Sequence, residues 1–314
     1  MKPLLSIAII TYNQESFVSQ TLDSILSQQH NYPYEVVIGD DCSHDSTRRI
    51  LLEYQKNNPD IIKLIFNENN LGIIKNYFNV IQNCSGEFIM ECAGDDYWLP
   101  EKISCQMDFM INHPDVGLCY TNAITKNEDS GKEKMWNPKK NIFFNELLKA
   151  NCIPALSVCF KKSLCDKYIK EINPVEKKWL MEDYPMWLYF AYNSRIQFID
   201  RIFCVYRDLN DSESHSYCNI EKRKKFTEST IEIQKYFSKK YKIPLDENYF
   251  NQLRSDVYKD YLLNSKNFDR IIAEEYLSLL KTVEKNKIKF FIKKIIFSHP
   301  HIFYLYRNKK NDQL

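Results

Sequence analysis

Residues 4–10 (LLSIAII) are an unbroken, β-branched apolar run, the signature of a strand buried on both faces of a parallel sheet. A polar turn follows at 11–15. Phe17, Val18, Leu22, Ile25 and Leu26 then recur at helical spacing to about Gln29. The cycle repeats at 35–39 (EVVIG), a second strand ending in Asp40 and Asp41. Asp45 and Ser46 are cap candidates for the helix that follows. Residues 61–66 (IIKLIF) predict a third strand and 72–83 a helix. Residues 87–91 (EFIME) predict a fourth strand that runs on to Gly94, Asp95 and Asp96. Beyond it the pattern is mixed, with strands at 116–121, 155–160 and 196–206 and a helix over 184–193. After about 220 it turns helical and charged.

Alternating strands and helices imply a doubly wound α/β domain, a mostly parallel sheet flanked by helices, with a helical C-terminal extension. Such sheets bind ligands beyond the carboxyl ends of their strands. The polar residues in question stand there: Thr11 to Asn13, Asp40 with Asp41, and Asp95 with Asp96. Three strand ends of one sheet can converge on one ligand. The pattern places a domain over 1–220 and a basic helical extension over 221–314.

Composition narrows the class. Lys plus Arg total 43 against 41 acidic residues, so bulk electrostatics give no reason to expect nucleic acid as a partner. The charge is uneven: residues 281–314 hold nine Lys/Arg against two acidic residues, a local +7 on a mildly acidic body. Ten cysteines include no C-x-x-C pair, which argues against a zinc site and for packed, reduced thiols in a cytoplasmic protein. Lys2 and Pro3 lead straight into the first strand, so no signal peptide is expected, and no apolar run is long enough to span a bilayer.

Asp95 and Asp96 are adjacent carboxylates between Gly94 and the aromatics Tyr97 and Trp98. Buried without a partner, such a pair is costly. A divalent cation with a diphosphate relieves that cost, and Mg2+ or Mn2+ accepts few protein oxygens when phosphates complete its shell. The alternative is structural, with Asp96 capping the helix that starts near Pro100.

These residues resemble a known family. The blocks LSIAIITYNQESFVSQTLDSILSQ, EVVIGDDCSHDST, NENNLG and SGEFIMECAGDDYW are similar, in order and spacing, to the nucleotide-binding half of the family 2 glycosyltransferases, which adopt the Rossmann-like GT-A fold. GDDYW followed by Pro100, Lys102 and Gln106 resembles the bacterial members that build cell-surface polysaccharide, capsule or lipopolysaccharide. The resemblance implies a nucleotide-sugar donor, usually UDP-linked, inversion at the anomeric carbon, and a glycan or lipid-linked glycan acceptor. It divides the domain into a donor half over 1–120 and an acceptor half over 121–220.

Carried over by position, Thr11 and Tyr12 would line the nucleoside pocket, Asp41 would accept from the base, and Asp40 would support the loop. Asn70 and Gly72 match a turn near the nucleotide. The family's Arg-Asn in the next helix is absent, and Lys75-Asn76 stand one turn earlier. Asp95 would contact ribose or metal, and Asp96 would bind the metal. In WLMEDYPMW, Asp183 matches the family's general base, with Glu182 beside it; by itself the same Asp reads as a helix N-cap. His215 is a candidate for the metal shell, against the alternative of a surface loop histidine. Trp179 and Trp187 are either sugar platforms or core.

Two rival classes remain. A nucleotidyltransferase should carry a Gly-rich basic loop after the first strand, whereas here the loop is TYNQES. A non-catalytic binding module would have no need of Asp96 or Asp183. In the tail, Ile288, Phe291, Ile292 and Ile295 recur at helical spacing among lysines, which reads as a basic interfacial helix against anionic lipid on the inner face of the membrane. Phe290 and Phe297 fall on the opposite face, so a helix packed on the catalytic domain is the alternative.

Overall fold

The computed structural model describes residues 2–136, 138, 140, 142–209, 219–265 and 268–311. The chain divides into two compact units, Met1–Leu209 and Asn210–Leu314.

In the first unit the elements run β1 (Leu5–Thr11), α1 (Val18–Leu26), β2 (Tyr34–Asp40), α2 (Thr47–Asn57), β3 (Ile62–Phe66), α3 (Ile73–Asn83), β4 (Phe88–Ala93), β5 (Tyr97–Trp98) and α4 (Lys102–Asn112). They continue with β6 (Val116–Asn127), β7 (Glu133–Met135), α5 (Phe144–Leu147), β8 (Cys159–Lys161), α6 (Lys162–Ile172), α7 (Asp183–Asn193) and β9 (Arg195–Asp208). The sheet order is β3-β2-β1-β4-β8-β6-β9-β5, with β7 on β6. β1, β2, β3 and β4 are mutually parallel, and antiparallel pairs enter with β8, β7 and β5. The sheet is therefore parallel through β1–β4 and mixed beyond them. Of the apolar run at 155–160, only Cys159 and Phe160 join a strand, and Ala155–Ser157 form a single 3-10 turn.

β1 lies between β2 and β4: Leu5, Ile7 and Ile9 on one face are fully buried in a core with Val18, Leu22 and Ile25 of α1, and Ala8 on the other face is buried as well. α3 sits close on β2. A Cβ at Gly39 would stand 2.6 Å from the Asn76 Oδ1, so only glycine lets that helix approach.

In the second unit α8 (Ile220–Tyr241), α9 (Glu247–Asn264), α10 (Arg270–Val283), α11 (Lys287–Ser298) and α12 (Pro300–Asn311) follow. Leu262, Ile272, Tyr276, Leu280, Phe297 and Phe303 form its core. Asn219, Asp246, Asp269 and Asn286 cap the first four of these helices through their side chains. No helix among the described residues is long and apolar enough to cross a membrane.

Candidate active site

The parallel register sets three strand ends side by side. Thr11 on β1 lies opposite Asp40 on β2, and Ile10 lies opposite Ala93 on β4. Two backbone bonds extend this edge by one residue each: Asp41 N donates to the Thr11 carbonyl at 3.0 Å, and Gly94 N to that of Ile10 at 2.9 Å. Thr11, Asp40, Asp41 and the Asp95–Asp96 turn thus share one rim.

The loops after β1 and β2 hold each other. Asn13 N donates to the Ser43 hydroxyl at 2.9 Å, Gln14 N to the Thr47 hydroxyl at 2.8 Å, and Glu15 N to the Asp45 carboxylate at 3.0 Å. In return His44 N donates to the Asn13 side chain and Ser46 N to the Glu15 carboxylate. Backbone donors that would need water are satisfied across the loops. Tyr12 is left 43% exposed just beyond the end of β1.

Asp40 and Asp41 differ in role. Asp40 is buried, pairs with Arg48 and accepts from Ser43 N, so it secures the loop. Asp41 accepts from Asn67 Nδ2 at 2.9 Å, Leu71 N at 2.8 Å and Gly72 N at 2.8 Å. It fastens the Asn70–Gly72 turn to the end of β2, and at Gly72 (φ 81°) the chain enters α3 in a conformation that suits glycine. Three of its roughly four acceptor positions are used, which leaves one for a ligand donor. Lys75 is exposed on α3. Asp41→Ala should strip partners from three N–H groups at about 1–3 kcal/mol each where buried. We expect its melting temperature to fall by several degrees, read by thermal unfolding; an unchanged value would show that the turn holds without it.

The Asp95–Asp96 turn is braced from three directions. The Thr21 hydroxyl donates to the Asp96 carbonyl at 2.6 Å and lies 2.9 Å from that of Gly94. A Cβ at Gly94 would come within 2.8 Å of the Thr11 side chain, so this turn too is built for glycine. Asp96 Oδ1 accepts from Arg207 N at 2.8 Å. It does not cap α4, whose N-cap position is Glu101. The Arg207 guanidinium is buried, donates to the Asp95 carbonyl, Gln20 and Glu128, and stacks on Phe17 and Tyr97 at 5.0 and 4.7 Å.

Burial raises the Asp95 carboxyl above its ordinary range, against hydrogen bonding and the Arg207 charge, which lower it. Asp96 is raised further by burial and then by Asp95 beside it. Two oxygens-only ligands whose ionised forms are both disfavoured fit a hard divalent cation, which would lower the cost of keeping them charged. Among the described residues no three His, Cys, Asp or Glu side chains gather as a metal set, so non-protein oxygens would have to complete the shell. His215 lies outside the described residues.

Asp183 opens α7. Its Oδ1 accepts from Tyr184 N at 2.6 Å and its Oδ2 from Asn151 Nδ2 at 3.0 Å. Burial and then the Asp183 charge push Glu182 up to about 8, and burial raises Asp183 as well. Both act on Glu91 of β4, which is buried, accepts from Tyr77 Oη, and is itself raised chiefly by burial. Trp187 is fully buried against Phe160 and Phe190, and Trp179 is buried as well, so both are core residues.

Arg207, Glu91 and Asn151 are absent from the sequence reading. Arg207 had a signal: alternation along β9 puts it on the same face as the buried Phe203 and Val205, where a charge needs a reason.

Comparison with known proteins decides the family. Residues 6–167 match the sequence model described as Glycosyl transferase family 2. The chain belongs to glycosyl transferase family 2. An uncharacterised protein of Mycobacterium tuberculosis is 33% identical over 162 residues, and the chain spans about half of that relative, 47% of its length. The Escherichia coli UDP-Glc:alpha-D-GlcNAc-diphosphoundecaprenol beta-1,3-glucosyltransferase WfgD is 30% identical over 198 residues, 63% of this chain and 73% of that one. The putative teichuronic acid biosynthesis glycosyltransferase TuaG of Bacillus subtilis is 27% identical over 50% of this chain and 62% of its own. Among solved structures, Staphylococcus aureus TarS 1–349 in complex with UDP-GlcNAc superposes with a TM-score of 0.54 at 16% identity, over 98% of this chain and 92% of that one. The Pyrobaculum calidifontis mannosyltransferase PcManGT, in complex with GDP-Man and Mn2+, superposes with a TM-score of 0.58 at 15% identity, over 99% and 80%. At these identities the likeness establishes the fold, GT-A, with helices after the sheet.

Proposed function

We propose that this family 2 chain transfers a sugar from a nucleoside-diphosphate donor, with UDP as the nucleotide, to a hydroxyl of a glycan or lipid-linked glycan, inverting the anomeric carbon. The setting proposed is the cytoplasmic side of bacterial surface-glycan assembly, and nine described cysteines that are all free thiols suit that compartment. The observation that carries the reading is the shared rim, where Thr11, Tyr12, Asp41 and the Asp95–Asp96 pair border one another at the carboxyl edge of the sheet. WfgD, whose name specifies a UDP-sugar donor and a diphosphoundecaprenol-linked acceptor, supports the donor and acceptor classes.

The roles follow from chemistry. Tyr12 offers a ring to a base, and Asp41 keeps one acceptor position for a base N–H. Asp95 and Asp96 would hold Mg2+ or Mn2+, which as a Lewis acid offsets charge on the departing diphosphate. Arg207 and Thr21 keep the two carboxylates in place. Asp183 takes the proton of the acceptor hydroxyl as its oxygen bonds to the anomeric carbon. The bond from that carbon to the diphosphate oxygen breaks, and its electron pair leaves on the nucleotide. Asn151 and Tyr184 N fix the Asp183 carboxylate for this.

A panel of UDP-, GDP- and TDP-sugars with Mn2+ or Mg2+, read by thermal shift, tests the donor. A ligand at 100 times its Kd stabilises by about 2.7 kcal/mol, enough to be seen. The expected result is a rise with a UDP-sugar that requires the metal. A rise confined to another base would correct the nucleotide, and a rise with nucleoside triphosphate plus sugar phosphate alone would favour a nucleotidyltransferase.

A further inference from the structure

The second unit carries a helix with two apolar faces. On α11, Phe297 is buried against Tyr276 and Phe303, with ring centroids 4.6 and 5.3 Å away, and Phe290 and Ile296 pack against the same core. The other apolar residues of α11 face away from that core. Ile288, Phe291, Ile292 and Ile295 are 73, 61, 51 and 36% exposed. Their spacing of three, four and seven puts them in one stripe. On α12, Ile302 and Leu305 are likewise exposed while Phe303 between them is buried. The core explains Phe290 and Phe297, and it leaves the stripe unexplained. A contiguous exposed row of Ile and Phe is the kind of surface that marks an interaction site.

Charge identifies what covers it. At 100° per residue, Lys287 and Lys294 border the stripe on one side and Lys289 on the other. These three and Lys285 are exposed, and Lys289 stands near enough to Glu284 to help Lys293 hold that carboxyl below its ordinary range. Lys293, nearer the core face, is paired with Glu284 at 3.0 Å. An apolar stripe between exposed lysines is the cross-section of a helix lying in a bilayer interface: the side chains enter the acyl boundary and the ammonium groups reach the headgroups. A second copy of the chain fits this surface poorly, because a two-fold contact would bring the lysine rims of both copies together.

We propose that the exposed stripe of α11 is a docking surface for an anionic lipid bilayer. It goes beyond the transfer reaction and stands without it.

The test uses the full chain and vesicles of phosphatidylcholine alone or mixed equally with phosphatidylglycerol, read by co-sedimentation without nucleotide. Deleting 281–314 is unsuitable, because it removes Phe297 and Phe303 from the core. The double variant Phe291→Ser/Ile295→Ser changes only exposed positions and should keep the wild-type melting temperature. Wild type is expected to bind the anionic vesicles, with affinity falling as salt is raised. The double variant should lose at least tenfold in affinity, and Lys287→Gln/Lys294→Gln should lose binding to anionic vesicles. Equal binding by wild type and the Ser variant overturns the proposal. So does a wild-type dimer in solution that the Ser variant converts to monomer, which would assign the stripe to a second copy. A donor-induced thermal shift retained in both variants separates this outcome from any failure of the glycosyltransferase reading.

Discussion

Asp96→Asn is expected to bind UDP in the presence of Mn2+ at least 10–100-fold more weakly than wild type, the range typical for disturbing a group that supports a metal site. Asparagine is the informative substitution. Asp96 Oδ1 accepts from Arg207 N, and an amide oxygen can keep that bond, so the turn stays closed. What disappears is the charge. Asp96→Ala removes the acceptor too and leaves a buried N–H unpaired at about 1–3 kcal/mol, so its loss of affinity mixes binding with folding. Metal-free UDP binding should be the same in wild type and the Asn variant, because the nucleoside contacts proposed here lie on the first two strand ends. Calorimetry with and without Mn2+ gives both numbers. Unchanged affinity with Mn2+ in Asp96→Asn would remove this carboxylate from the metal assignment and return it to a purely structural part in the turn.

pH adds an independent check on the same pair. A carboxyl raised in the folded state is protonated, and so unable to hold a cation, at pH values where a free aspartate is ionised. Metal-supported UDP affinity should therefore begin to fall, as pH is lowered, above the ordinary carboxylate range.

The first half of the sheet was legible because its physics is local. β1, β2 and β4 are buried strands, so continuous apolar runs mark them, and polar residues at their ends stand out against those runs. The second half was less so. β5 spans two residues and β8 three, and each exists through its pairing with a distant strand: Trp98 with Cys204, Phe160 with Leu118. No window of sequence contains that pairing. Lys102 and Gln106 were visible as spacing only; in the fold Lys102 is fully buried, with its ammonium on Gln106 and 4.8 Å from the Trp98 ring, a polar pair inside the core. Arg207 was hidden for a related reason. Its partners, Gln20, Asp95 with Asp96, and Glu128, come from three separate stretches of chain, and only the folded sheet gathers them. The tail shows the opposite case. Its sequence displayed both apolar faces of α11 and could not say which one the core takes; the burial of Phe297 answers that.

Asp183→Asn should lower kcat by ~10²–10⁴-fold, the usual worth of general-base assistance, with donor affinity nearly unchanged. The geometry makes the variant clean. Asp183 accepts from Asn151 Nδ2 and Tyr184 N, and the asparagine oxygen can serve one of these donors while the helix start persists. A residue that merely capped α7 would tolerate the change with little loss. The pH profile distinguishes a base from a bystander. Proton acceptance needs the ionised carboxylate, and burial holds both Asp183 and Glu182 above the ordinary range, Glu182 at about 8. Turnover at saturating donor and metal should thus decline as pH falls through values above those of a free carboxylate, and the limb belongs to the pair jointly because the two charges interact. In Asp183→Asn that limb should disappear along with most of the rate. Removing the Asp183 charge also lowers the Glu182 pKa, since that charge helps to raise it. A variant with near-wild-type turnover and an acid limb moved downward would therefore identify Glu182 as the base. A large rise in donor Kd at unchanged kcat would instead place Asp183 on the donor side.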